Sequence, residues 1–191
     1  MIEPEFWRLL ATISATMIGL VFLGTIYYLE SGWREYDLFR DQMETMTIRG
    51  AQLIIAYFST VLVLSLLQEP FVSRGVSHLA FVVLVIGVIL VTRFTNEALR
   101  SFENASPTGW NSLLFKSSRV LNWVAFAVVF LLPPLVFRDT GTAGSVLRHL
   151  TLSDIGVAWI VLLALLFGYW NLVQFLLLPY DVREMERGGE Q

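Results

Sequence analysis

The residues Phe81-Val82-Val83-Leu84-Val85-Ile86-Gly87-Val88-Ile89-Leu90-Val91 include no ionisable side chain, and neither does the run from Val157 to Phe167. Runs like these recur along a chain of 191 residues that is 55 % hydrophobic and 15 % charged. Soluble domains carry about 25 % charged residues, so this chain has too few ionic groups to cover a surface facing water. Its mean hydropathy is +0.65. The fold class that follows is all-α: a polytopic transmembrane helical bundle, 1–191 as one domain, with membrane lipid around most of it.

A membrane-crossing helix needs roughly 20 mostly apolar residues. Five segments meet that requirement: Leu9–Leu29, Ile48–Leu67, Val76–Thr92, Val120–Phe137 and Ile155–Leu178. They are long and lack alternation of period two, and barrel strands are about half that length, so helices are indicated. Pro70 stops the second span, and a Gly- and Thr-rich stretch, Arg138–Asp154, precedes the fifth. The more charged connections, 30–47 and 93–119, are expected to be loops. Within the first of these, Tyr36, Phe39 and Met43 recur at helical spacing, as in an extension of a membrane helix or a helix lying in the interface.

Cationic residues set the expected orientation. Loops 30–47 and 93–119 and the C-terminal end hold nine of the 13 Lys and Arg residues, while the opposite side holds Arg8, Arg74, Arg138 and Arg148. The positive-inside rule then places the N-terminus outside and the C-terminus and both charged loops in the cytoplasm. Trp7, Tyr27, Tyr28, Trp33, Trp123, Trp159 and Tyr180 lie near span ends, where amphipathic rings favour the headgroup level. The first apolar run follows acidic Glu3 and Glu5 rather than a basic segment, and is read as a retained span instead of a cleaved signal peptide.

Composition also narrows the function. With no Cys and only His78 and His149, thiolate and imidazole metal centres are not expected, and no cofactor is implied. A net charge of −3 offers no general attraction to nucleic acid. No nucleophile elbow, zinc-binding helix or phosphate-binding glycine loop is present, so an enzyme is not expected. The first span is richest in other signals. Ala11, Ala15 and Gly19 recur every four residues, with Thr12, Ser14 and Thr16 among them. Small residues allow helices to approach closely in lipid, and hydroxyls offer oxygens to a passing ion without a fixed charge. Span five carries Asn171 and Gln174 three residues apart, after the small residues Ala164 and Gly168. Both amides are expected to face protein rather than acyl chains.

Three further groups complete the candidates. Arg93 and Glu97 are spaced for an interfacial ion pair on one helical face. Glu3, Glu5, Glu69 and Asp154 sit at the expected external span ends, where copies around a symmetry axis would form cation-attracting rings. Pro133-Pro134 has no counterpart in another span, which argues against a duplicated transporter.

The stretch Ala11-Thr12-Ile13-Ser14-Ala15-Thr16-Met17-Ile18-Gly19-Leu20 resembles the opening helix of small uncharacterised multi-pass proteins of prokaryotes. The resemblance covers this one helix, implies a prokaryotic plasma or inner membrane, and brings no established activity. The pore helix of the store-operated calcium channels carries an acidic selectivity residue; span one lacks any internal carboxylate.

The sequence therefore favours a homo-oligomeric ion channel, with inorganic ions passing along Thr12, Ser14, Thr16 and Gly19 of span one and the amides of span five. Two alternatives remain: a non-catalytic interaction protein that docks a cytoplasmic partner through its charged loops, and a small carrier. Orientation is directly testable, because the chain has no cysteine of its own. In intact cells a membrane-impermeant maleimide should label Ser145→Cys, and should label Ser106→Cys only after lysis; the reverse pattern overturns the assignment.

Overall fold

The computed structural model describes residues 3–32, 40–68, 74–105, 111–136 and 154–188. Every regular element among them is helical. In order these are α1 (Pro4–Tyr27), which runs into a π turn (Tyr28–Gly32); α2 (Arg40–Leu66); α3 (Arg74–Ala105); α4 (Asn111–Phe126), a π turn (Ala127–Leu131) and α5 (Leu132–Val136); and α6 (Asp154–Gly188). Four helices are long and apolar enough to cross a membrane: Pro4–Glu30, Met43–Leu66, Leu79–Ser101 and Ile155–Leu176. The protein is a multi-pass helical membrane protein.

Local chemistry accounts for several of the ends. Pro4 opens α1, where its missing amide hydrogen costs nothing, and Glu5 complements the helix dipole in the first turn. The last turn of α2 closes with Leu67 N donating to Val63 O at 3.0 Å and Gln68 N donating to Ser65 O at 3.3 Å. The segment expected as span four, Val120–Phe137, is helical over its described residues 120–136 but interrupted, and it is not among the four candidate crossings. Leu132 donates its amide to Ala127 O, five residues back, directly before Pro133 and Pro134. Neither proline can donate to the turn before it, and each ring crowds a carbonyl there. The widened turn relieves that crowding.

The expected loops are largely helix. Residues 40–47 of the segment 30–47 form the first turns of α2, with Met43 and Thr47 fully buried. Residues 93–105 complete α3, and 111–119 begin α4. Of the aromatic spacing noted above, only Met43 lies among residues with described side chains; Tyr36 and Phe39 fall outside the described residues. A hydropathy reading ends a span at its first charges, whereas the backbone continues to hydrogen-bond into water. The 32 residues of α3 reach about 48 Å at 1.5 Å per residue, well beyond a hydrocarbon core of about 30 Å.

Helix α2 occupies the centre, packed against α1, α3 and α6; α4 lies on α3, and α5 with its π turn lies on α6. Half of the α2 span is buried, against about a quarter or less in the other three. The core accordingly gathers Leu53, Tyr57, Val61 and Leu64 of α2 with Trp7 and Leu10 of α1, Val88 of α3, Val129 and Phe130 of the π turn, and Ile160, Val161 and Ala164 of α6. A second cluster joins Val21 of α1 and Phe175 of α6 to Ala51, Ile54 and Phe58 of α2.

Between α2 and α6 the backbones come close at one glycine. A Cβ on Gly168 would lie 3.3 Å from Cε1 and Cζ of Phe58 and 3.4 Å from Cβ of Tyr57. Gly168→Val should therefore destabilise the bundle by about 1–3 kcal/mol, the range for overpacked cores. Gly87→Ala, where nothing lies within 4 Å, should leave the thermal unfolding midpoint in detergent unchanged or slightly raised. Equal midpoints for the two variants would refute the close approach.

Candidate functional site

The small and hydroxyl residues of α1 divide between two faces. Thr12, Ala15, Thr16 and Gly19 are exposed and recur at the spacing of one helical face, with open space around Gly19. Ala11 and Ser14 lie on the buried side. The three hydroxyls thus do not share one surface, because Ser14 is two residues from both threonines and is rotated away from them. On the outer face each threonine bonds back along its helix: Thr12 Oγ1 donates to Arg8 O and Thr16 Oγ1 to Thr12 O, both at 2.9 Å. That bond uses the single hydroxyl proton and leaves oxygen lone pairs available to an outside partner.

In α6, Ala164 and Gly168 are buried against α2. Asn171 is half-buried, and its Nδ2 donates to Phe167 O at 2.8 Å; Gln174 is exposed. Gln174 adjoins Phe175, whose ring meets Tyr28 of the π turn after α1 edge-on at 5.4 Å between centroids. The amides of α6 therefore sit near the far end of α1 from Thr12. Of the acidic candidates, Glu3 and Glu5 are exposed at the start of α1, and Asp154 opens α6. Glu69 lies outside the described residues, as does His149. Among the described residues no group of His, Asp and Glu is placed to hold a metal ion.

Arg93 and Glu97 are paired, Nε to Oε1 at 3.1 Å, with both side chains largely exposed. Such i,i+4 pairs contribute about 0.3–0.5 kcal/mol. The stronger polar organisation is one turn away, where α2, α3 and α4 meet, and the sequence reading did not identify it. Thr95 Oγ1 lies 3.0 Å from Arg49 O on α2 and 2.9 Å from Val91 O on its own helix. Asn122 Nδ2 of α4 donates to Asn96 Oδ1 of α3 at 3.0 Å, and Asn96 Nδ2 reaches Arg119 O at 3.5 Å. Beyond these, Arg119 Nη2 meets Glu103 Oε2 at 2.7 Å, and Lys116 Nζ lies 3.7 Å from Glu103 Oε1. The side chain of Glu103 is only 13 % exposed, and both cations lie against its carboxylate.

The signal for this seam was the recurrence of Asn96, Glu103, Lys116, Arg119 and Asn122 on either side of Pro107, the pattern of a helical hairpin. A loop over 93–119 separates Asn96, Glu103, Lys116 and Arg119 from Asn122, which falls in the expected span Val120–Phe137, and so conceals the pattern.

Five buried hydroxyls make no hydrogen bond among the described residues: Ser14, Thr47, Tyr57, Ser65 and Thr92. Three belong to α2, the most enclosed helix. They are scattered along the bundle and do not form one constellation.

Compared with protein-family models, curated proteins and solved structures, the chain matches none.

The asparagine pair generates a quantitative expectation. In a double-mutant cycle on Asn96→Ala and Asn122→Ala, the coupling energy should be about 0.6 kcal/mol and at most near 1.7, as for hydrogen bonds between membrane helices. Additive effects of the two substitutions on unfolding in detergent would contradict a direct bond.

Proposed function

We propose that the protein is a homo-oligomeric ion channel whose conducting path is lined by the outer face of α1. The observation that supports this reading is the chemistry of that face. Thr12 and Thr16 have directed their hydroxyl protons into the helix backbone, so each offers only an acceptor oxygen outward, as a desolvating cation requires. Ala15 and Gly19 share the face, leaving room beside those oxygens. On a monomer this surface would meet acyl chains, which give hydroxyls no partner. Copies arranged around an axis would turn it inward, and the path would then belong to the assembly. Glu3 and Glu5, exposed at the start of α1, would gather cations at one mouth. Gln174 would add amide oxygens toward the other end.

The pairing of Arg93 with Glu97 and of Arg119 and Lys116 with Glu103 weighs against docking through charged loops. These groups engage one another along α3 and between α3 and α4, and have less charge to offer a partner. The chain's lack of catalytic motifs is in keeping with a non-enzymatic role.

Purified protein in liposomes should conduct ions, and Thr16→Leu, which replaces an outward oxygen with a branched apolar group, should reduce flux several-fold while the oligomer persists. Membranes that stay tight over all voltages and pH values would eliminate this reading.

A further inference from the structure

Beyond conduction, we infer that the α2–α3 seam is a binding site for an anionic phospholipid, with Arg49 holding the phosphate and the outward face of α3 receiving an acyl chain. Arg49 and Arg93 are the first charged groups reached on leaving the apolar stretches of α2 and α3. Their level therefore marks the hydrocarbon boundary at this end of the bundle, the depth at which phosphate groups lie.

The Arg49 side chain is held there in a defined orientation. Its Nη1 donates to Gln52 Oε1 at 2.9 Å, and Cζ stands 5.0 Å from the centroid of the Phe94 ring. Neither contact neutralises its charge. Among the described residues it has no carboxylate partner, unlike Arg93, Lys116 and Arg119. A guanidinium positioned by an aromatic face and an amide, with donors left over, suits bidentate contact with phosphate oxygens. Arg100 is exposed on the face of α3 that carries Arg93 and Glu97, and adds positive potential just beyond the boundary.

Away from Arg49, the surface is apolar and shaped as a strip. Phe94, Leu90, Ile86 and Val83 are all exposed and follow one another at helical spacing along one face of α3. The interval from residue 94 to residue 83 covers about 16 Å at 1.5 Å per residue, close to half of a hydrocarbon core of about 30 Å. A headgroup anchored at Arg49 would thus lay one chain along this strip to the middle of the membrane. A soluble phosphate has the headgroup chemistry but no use for the strip, so the lipid is the occupant proposed.

The test uses the full-length protein in detergent, equilibrated with equal amounts of phosphatidylglycerol and phosphatidylcholine, with retained lipid counted by native mass spectrometry. Wild type should retain phosphatidylglycerol several-fold over phosphatidylcholine, and Arg49→Gln should bring the two to parity. Folding should survive that change, because α3 is tied to Arg49 through its backbone carbonyl. Phe94→Leu preserves apolar surface while removing the ring face, and should lower the preference partway. No preference in wild type, or an undiminished preference in Arg49→Gln, would overturn the site. Abolition of the preference by millimolar glycerol 3-phosphate would also overturn it, by showing a site for free anions.

Discussion

Hydrocarbon offers a polypeptide no hydrogen-bond partner, so each amide and carbonyl that enters it has to be satisfied within the chain. The architecture follows from that constraint. It makes every described element helical and places α2 at the centre, in contact with α1, α3 and α6. Lipid gives helices little hydrophobic incentive to associate, which is why closeness matters where it is achieved. Gly168 lets α6 approach Tyr57 and Phe58, and Gly50 receives the Phe175 ring at 3.4 Å from where its Cβ would stand.

The same constraint sorts the polar side chains by depth. Within the apolar stretches, hydroxyls either return a bond to their own helix, as Thr12, Thr16, Thr25 and Thr60 do, or lie enclosed as Ser14 and Tyr57 do. Among the described residues, amides and ions join different helices toward the end where α3 finishes and α4 begins. There Asn96, Asn122, Glu103 and Arg119 link the two helices, and Thr95 reaches α2. The centre of the bundle is held by packing, and this end by directional bonds.

Fold class was legible because it depends on composition and run length, both plain in stretches such as Phe81–Val91. Element ends were less so. Charges at Arg93 and Glu97 end a hydrophobic window but not a helix, and the expected loop 93–119 hid the seam for that reason. The spacing of Arg93 and Glu97 correctly indicated an ion pair, since contacts four residues apart are local. Which way Ser14 faces relative to Thr12 and Thr16 follows from helix rotation, but which of those faces α2 covers is a tertiary fact. The Asn96–Asn122 bond spans 26 positions, and no local pattern specifies it.

Pro133 and Pro134 bear on how the chain enters the bilayer during synthesis. Two consecutive imino acids leave carbonyls of the preceding turn without donors, so α4 and α5 together form a poor candidate for partition into lipid on their own. The neighbouring Val129 and Phe130 are enclosed, and this turn lies on α6, which is made later in synthesis. Packed on α6, the proline-bearing turn has protein beside it where a lone helix would meet only lipid.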